Sequence, residues 1–245
     1  MLSKRLIKYF KSLQLKKYRL QERKFLVEGA KGVSEVLQSG LKVTNLLGTT
    51  TFLASLDRNL KGIAQEIIEC KEIDLAQVGT FKTNNAGIAI VEMPKEEEVS
   101  IPTAGLCLAL DDVRDPGNLG TIIRIADWYG IEHIFCSHES ADVFNPKVIN
   151  ATMGSFTRVS VHYTDLKVKL SKATVPVYGA LLSGKSIYKR SLEQRGVILM
   201  GNESIGISDD LIPLITDALH IPGRGGAESL NVSVATAVIL DNFFR

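Results

Sequence analysis

Apolar residues along this chain come in short continuous runs, separated by stretches with helical spacing. In the first part "KFLVEG" (24–29), "KVTNLLGT" (42–49), "QEIIEC" (65–70) and "GIAIVE" (87–92) read as strands, and "AKGVSEVLQSG" (30–40) places apolar residues three and four apart, as one face of a helix requires. That alternation predicts a small α/β sandwich. The rhythm breaks at "MPKEEEVSIPT" (93–103), where two prolines, three consecutive glutamates and no apolar period mark a linker. Beyond it "GLCLALDDV", "IEHIFCS", "VPVYGAL", "GVILMG" and "ALHIPG" are apolar strands, each separated from the next by enough chain for a crossover helix. The second part is therefore expected to be a parallel sheet covered on both faces, with domains at residues 1–98 and 99–245.

Composition narrows the class without naming a function. With 245 residues, 45% hydrophobic and 23% charged, the chain can bury one large core or two smaller ones. Its longest apolar runs fall well short of the roughly 20 residues that cross a bilayer. "MLSKRLIKYFKSLQ" lacks a signal peptide's continuous apolar stretch, so a cytoplasmic protein with no membrane partner is expected. Cys70, Cys107 and Cys136 are far apart and set in apolar segments, which predicts buried free thiols and no metal site.

Charge changes the picture once it is divided. The net charge is +2, but residues 1–31 hold ten Lys or Arg against two Glu. Lys4, Arg5, Lys8, Lys11, Lys16, Lys17, Arg19, Arg23 and Lys24 surround Leu6, Phe10 and Leu13, whose spacing is that of a helix with one apolar seam. Such an arm suits a phosphate backbone. Its bland alternative is a solvated helix face.

Ligands of a parallel sheet gather at the loops leaving the carboxyl ends of its strands. Three such loops are polar and rich in glycine here: "DDVRDPGNLGTIIR" (111–124), "GNESIG" (201–206) and "IPGRGGAESLN" (221–231). In the first, Pro116 and Gly117 make a turn and Asn118 is placed to open the helix that carries Arg124. Neither the dinucleotide pattern G-x-G-x-x-G nor the phosphate-loop pattern G-x-x-x-x-G-K-[ST] is present.

These segments resemble the three signature motifs of the SpoU (TrmH-type) RNA ribose methyltransferases of the SPOUT superfamily, carried by "DPGNLGTIIR", "GNESIG" and "IPGRGGAESLNVSVA" in that order. "NPKVINATMGSFTRVSV" resembles the family's segment after the second strand, and residues 1–92 resemble its ribosomal-protein-like substrate-binding domain. The resemblance implies a catalytic domain with a deep trefoil knot, in which S-adenosylmethionine is held by Leu181, Gly201, Gly206, Ile221 and Leu230. It also implies a homodimer, built on "VSVATAVILDNFF", and an RNA substrate, ribosomal RNA ahead of transfer RNA.

By the same resemblance Arg124, Asn118, Glu203, Ser229 and Asn231 form the catalytic set, and the reaction is attack of a ribose 2′-hydroxyl on a sulfonium methyl. A guanidinium holds its proton at physiological pH, so Arg124 is expected to clamp phosphate and stabilise alkoxide charge rather than act as a base. Taken singly, Asn118 is a helix cap, Glu203 a loop acid, Arg124 a surface ion-pair partner, and Ser229 and Asn231 ordinary N-caps. His133, His138, His162 and His220 fall outside the motifs. Where many relatives have Met after Ile-Pro in the third motif, this chain has Gly223. That departure motivates the alternative of a noncatalytic RNA-binding protein on the same fold; a small-molecule or protein-directed enzyme is the other class.

Overall fold

The computed structural model describes residues 2–188 and 190–245. In chain order the first elements are α1 (Lys4–Ser12), α2 (Lys16–Glu22), β1 (Lys24–Glu28), α3 (Ala30–Gln38), β2 (Val43–Gly48), α4 (Thr50–Ser55), α5 (Arg58–Lys61), β3 (Glu66–Glu69), α6 (Glu72–Val78) and β4 (Gly87–Glu92). There follow β5 (Leu106–Leu110), α7 (Pro116–Trp128), β6 (His133–Cys136), α8 (Pro146–Thr152), β7 (Ser160–Tyr163), α9 (Leu166–Ser171), β8 (Val177–Ser186), β9 (Gly196–Met200), β10 (Asp217–His220) and α10 (Val232–Phe243). The chain divides into two compact units, Met1–Lys95 with Asp142–Thr157, and Glu96–Ala141 with Arg158–Arg245. The sequence reading had placed the segment 142–157, which carries α8, beyond its boundary.

The first unit is built on a four-stranded sheet of order β1-β4-β2-β3, antiparallel except for the β2–β3 pair. Alternation along β1 and β4 sends Phe25, Val27, Ala89 and Val91 to one face and Leu26, Ile88 and Ile90 to the other. Residues of α3, α4 and α8 fill the first face, with Phe144 and Phe156 packed on Phe25. The second receives Phe10, Leu13, Leu75 and Val78. The apolar seam of the basic arm is thus spent on the core, and Lys4, Arg5, Lys8, Lys11, Lys16, Lys17, Arg23 and Lys31 are left exposed. Arg19 departs from that set. It is 2% exposed, donates to the Leu13 and Gln14 carbonyls at 3.1 and 2.7 Å, and pairs with Asp142 at 2.6 Å. A guanidinium with three such acceptors is a structural clamp rather than a free cation.

The second unit holds six strands in the order β10-β8-β9-β5-β6-β7, all parallel. Cys107, Ala109, Phe135, Val177, Val197 and Leu199 point to a core shared with Leu166 and Leu170 of α9. On α10, Phe243 meets Tyr178 edge-on at 4.9 Å, and α10 packs on α7, whose Leu119, Ile122, Ile123 and Ala126 are buried. Strand β8 runs beyond the apolar stretch that predicted it. Its ladder with β10 jumps from the pair Gly179–Ala218 to the pair Lys185–Leu219, so Ala180–Gly184 has no opposite number. At Gly184 a Cβ would lie 2.7 Å from the carbonyl carbons of Ala218 and Leu219, so only glycine lets the strands approach there. Leu181 is half-buried in this bulge and packs on the core. All three cysteines are buried and free, and burial pushes the thiols of Cys70 and Cys107 up to about 11 and about 12.

Candidate active site

Because all six strands are parallel, the chain leaves β5, β9 and β10 at one edge of the sheet, and the three polar loops begin there. After β5 the helix α7 opens one turn earlier than the sequence reading placed it. Asp115 is its N-cap, accepting from the Asn118 amide at 2.8 Å, and Pro116 occupies the first helical position. Proline there needs no N–H partner and already has the helical φ, which fixes the cap at the residue before it. Asn118 is therefore released from capping, and its side chain turns outward.

The loop after β9 is closed on itself. Asn202 and Gly206 exchange backbone hydrogen bonds at 2.9 and 3.0 Å, and Asn202 Oδ1 accepts from the amides of Ser204 and Ile205. Gly206 has φ +75°, a left-handed conformation that favours glycine. A Cβ on Gly201 would overlap the Gly206 carbonyl and the Ile207 amide nitrogen. Both ends of the loop are tied to the residues that follow β5. Asn202 Nδ2 donates to the Asp112 carbonyl at 2.8 Å, and the buried Asp111 carboxylate accepts from the Ser208 amide and hydroxyl, each at 2.7 Å.

The segment after β10 is the opposite case. From Ile221 to Leu230 no backbone or side-chain group makes a hydrogen bond within the described residues, and Gly223 through Leu230 are all exposed. A Cβ on Gly223, Gly225 or Gly226 would meet nothing within 4 Å. Order returns at Asn231, the N-cap of α10, whose Oδ1 accepts from the amides of Ser233 and Val234 and from the Ser233 hydroxyl at 2.6 Å. Ser229 lies two residues before that N-cap, exposed and without a partner among the described residues.

Three of the expected catalytic residues are brought together in a single relay. Asn231 Nδ2 donates to Asn118 Oδ1 at 2.9 Å, and Asn118 Nδ2 donates to Glu203 Oε1 at 2.7 Å. The amide orientations follow from the chain's end: Asn231 Oδ1 is occupied by helix N–H groups, so its nitrogen must face Asn118, whose nitrogen must then face the carboxylate. Glu203 is exposed, and its second oxygen has no protein donor among the described residues. Arg124 is not drawn into this relay. It is exposed on α7, without a hydrogen bond or ion pair among the described residues, which sets aside the surface ion-pair reading. Arg114, two residues after a left-handed Asp112 (φ 58°), is held by that carboxylate at 2.6 Å while its side chain stays 68% exposed.

Other groups fall elsewhere. His133 and His162 touch each other at 3.2 Å on β6 and β7, where burial, then His133 and Lys169, hold the His162 imidazole below its ordinary value. Among the described residues no group of three or more His, Cys, Asp or Glu could hold a metal ion, and no helix is long and apolar enough to cross a membrane. Sequence reasoning missed Asp111, Asp112, Asp115, Asn202 and Ser208. Of these only Asp115 had a local signal, an Asp directly before the Pro that starts a helix.

Comparison with known proteins gives this geometry a family. Over 241 residues the chain is 31% identical to the 23S rRNA (guanosine(2553)-2′-O)-methyltransferase RlmP of Bacillus subtilis, covering 96% of this chain and 94% of the relative. Among solved structures, a protein of the TrmH family from Porphyromonas gingivalis superposes with TM-score 0.87 at 39% identity, covering 99% of this chain and 98% of the other. The AdoMet-bound rRNA methyltransferase from Sinorhizobium meliloti superposes with TM-score 0.86 at 28% identity, covering 99% and 95%. Residues 4–89 match the MRM3-like substrate binding domain. With residues 105–241 matching its model, and all three polar loops inside that match, the chain belongs to the SpoU rRNA Methylase family.

Proposed function

We propose that this chain transfers the methyl group of S-adenosylmethionine to a ribose 2′-hydroxyl of ribosomal RNA. The observation that carries the reading is the relay Asn231–Asn118–Glu203, which brings one side chain from each polar loop to the same sheet edge. The residues fit the methyl donor. The unpaired, glycine-rich backbone from Ile221 to Leu230 can reach an adenine edge and a bent amino acid moiety without obstruction, with Gly201, Gly206 and Leu181 on the neighbouring strands and loop. When bound, S-adenosylmethionine supplies an electrophilic methyl on a sulfonium, a chemistry that needs no metal.

The side chains do the rest. Glu203, fixed through one oxygen by Asn118, presents the other to the ribose hydroxyl or to a water that takes its proton. Arg124 stays charged throughout, grips a substrate phosphate bidentately and stabilises the developing alkoxide. Ser229, beside the relay in sequence, adds a hydroxyl for substrate. The exposed basic residues of α1 and α2 supply the electrostatic part of RNA affinity, consistent with the substrate-binding match of residues 4–89. Ribosomal RNA is preferred to transfer RNA because the full-length relative named above acts on the former.

The knotted path of the catalytic domain, the cytoplasmic site of action and a homodimer belong to the same proposal. For the dimer, support comes from Trp128, 84% exposed, and from a surface groove in which Tyr129, Tyr188, Ala237 and Val238 lie beside Asn242 and the ion pair of Asp241 with Arg245. Ser233 and Phe243, which the sequence reading offered to a partner, are buried within the chain. Sedimentation at micromolar concentration should give a species of twice the chain mass.

The decisive test is Arg124→Lys. Methyl transfer to ribosomal RNA under single-turnover conditions should fall by roughly two to three orders of magnitude, while calorimetry shows S-adenosylmethionine still bound. Transfer at the parent rate would remove Arg124 from the catalytic set. Absence of cofactor binding by the unaltered protein would return the noncatalytic RNA-binding alternative.

A further inference from the structure

We infer that Asp111 is a positioning residue for methyl transfer, acting through Ser208 and the loop Gly201–Ser208 to hold Glu203 in place. The inference rests on the catalytic reading of Glu203 and names a residue outside the set that reading uses. Asp111 is the first residue beyond β5, where its amide still donates to the Met200 carbonyl at 2.9 Å and so extends the β5–β9 ladder by one step. Its carboxylate is buried, and Oδ2 accepts two short hydrogen bonds from one residue, the Ser208 amide and hydroxyl. Asp112 holds the other end of the loop through its carbonyl and Asn202 Nδ2.

Glu203 is itself exposed, on a short hairpin, and contacts the rest of the site only through Asn118 among the described residues. An exposed side chain keeps a fixed position only if its backbone does. That backbone is determined by four points: the Met200 carbonyl on Asp111, Asn202 on Asp112, the Asn202–Gly206 bridge and Ser208 on Asp111. Two of the four are Asp111. A carboxylate that accepts two short bonds while buried is costly to leave half-satisfied, so removing its charge loosens the end of the loop and lets the hairpin swing. The effect should appear in the chemical step more than in cofactor binding. Gly201 and Gly206 share this loop, but the backbone bonds of Asp111 to Met200 and of Asn202 to Gly206 survive the substitution. Ile221 and Leu230 hold the cofactor from outside the loop, and proton transfer at Glu203 is the more sensitive to a small misplacement.

A double-mutant cycle tests this. Asp111→Asn should lower the single-turnover rate of methyl transfer roughly tenfold, the scale of a weakened hydrogen bond to a charged group, with the cofactor dissociation constant changed less than about threefold. Ser208→Ala should reproduce part of the loss and Ser208→Thr, which keeps the hydroxyl, should restore it. In a Glu203→Gln background Asp111→Asn should have little further effect, since a residue that acts through Glu203 has nothing left to position. If the two substitutions multiply independently, Asp111 has only a structural role and the inference fails. If Glu203→Gln alone leaves transfer unchanged, the catalytic reading of Glu203 fails and the inference with it. Should Asp111→Asn not fold, the cycle run with Ser208→Ala in its place separates the same outcomes.

Discussion

Two loops of this protein share a glycine-rich composition and have opposite physics. In Gly201–Ser208 both hairpin ends are bonded to the residues that follow β5, Asn202 satisfies two amides of its own turn, and Gly201 has no room for a Cβ. In Ile221–Leu230 no group is hydrogen-bonded among the described residues, and a Cβ on any of its three glycines meets empty space. Glycine serves close packing in the first and open backbone in the second. The first is a finished piece of structure that presents Glu203. The second has its hydrogen-bonding capacity in reserve, which is what a cofactor with many polar edges requires.

The comparison breaks first at Gly201. Gly201→Ala should cost about 3 kcal/mol or more in chemical denaturation, the range of forced overpacking, and a loss below about 1 kcal/mol would mean that the hairpin is looser than its hydrogen bonds indicate. Amide hydrogen exchange sharpens the contrast. On saturation with S-adenosylmethionine the amides between Gly223 and Leu230 should slow by about tenfold or more, while those of Ser204, Ile205 and Gly206, already bonded, change little. Asn231 lies where the open segment ends. Asn231→Ala should destabilise by about 1 kcal/mol through loss of the cap, whereas Asn231→Asp keeps the cap and should hold stability while slowing methyl transfer, because the donor to Asn118 is gone. The smallest effect is expected at Gly225→Ala, within about 0.5 kcal/mol of the parent; a larger loss would show that the segment packs in a way its exposure does not suggest.

Much of this architecture was legible in the sequence, and the limits are physical. Five of the six strands of the parallel sheet announced themselves as apolar runs because both faces are covered, whereas the edge strand β7, Ser160–Tyr163, is exposed or half-buried and was not read as a strand. The three loops stood out because polar and glycine residues cluster at strand ends. The position of Asn118 was misjudged by one helical turn, since Asn is itself a good cap and Asp115-Pro116 is a better start. What no local pattern could show are the ties of Asn202 to Asp112 and Ser208 to Asp111, between residues about ninety positions apart that become neighbours only when β9 pairs with β5. Arg19 was read as one more surface cation for the same reason. Its partner Asp142 lies far along the chain, and nothing near residue 19 distinguishes a buried guanidinium from an exposed one.

That last pairing bears on how the protein is made. The first unit is completed by Asp142–Thr157, which brings Phe144, Ile149 and Phe156 to the core around Phe25 and Asp142 to Arg19. A ribosome delivers residues in order, so when residue 95 has emerged this unit still lacks one wall of its core and the counter-charge of its clamp. It can close only after β5, α7 and β6 have also been synthesised. Nascent chains stalled before residue 142 should therefore be far more open to protease within residues 1–95 than chains stalled well past residue 157. Birth order and architecture are out of step here: residues 1–95, though made earlier than Asp142–Thr157, cannot complete their core without that segment.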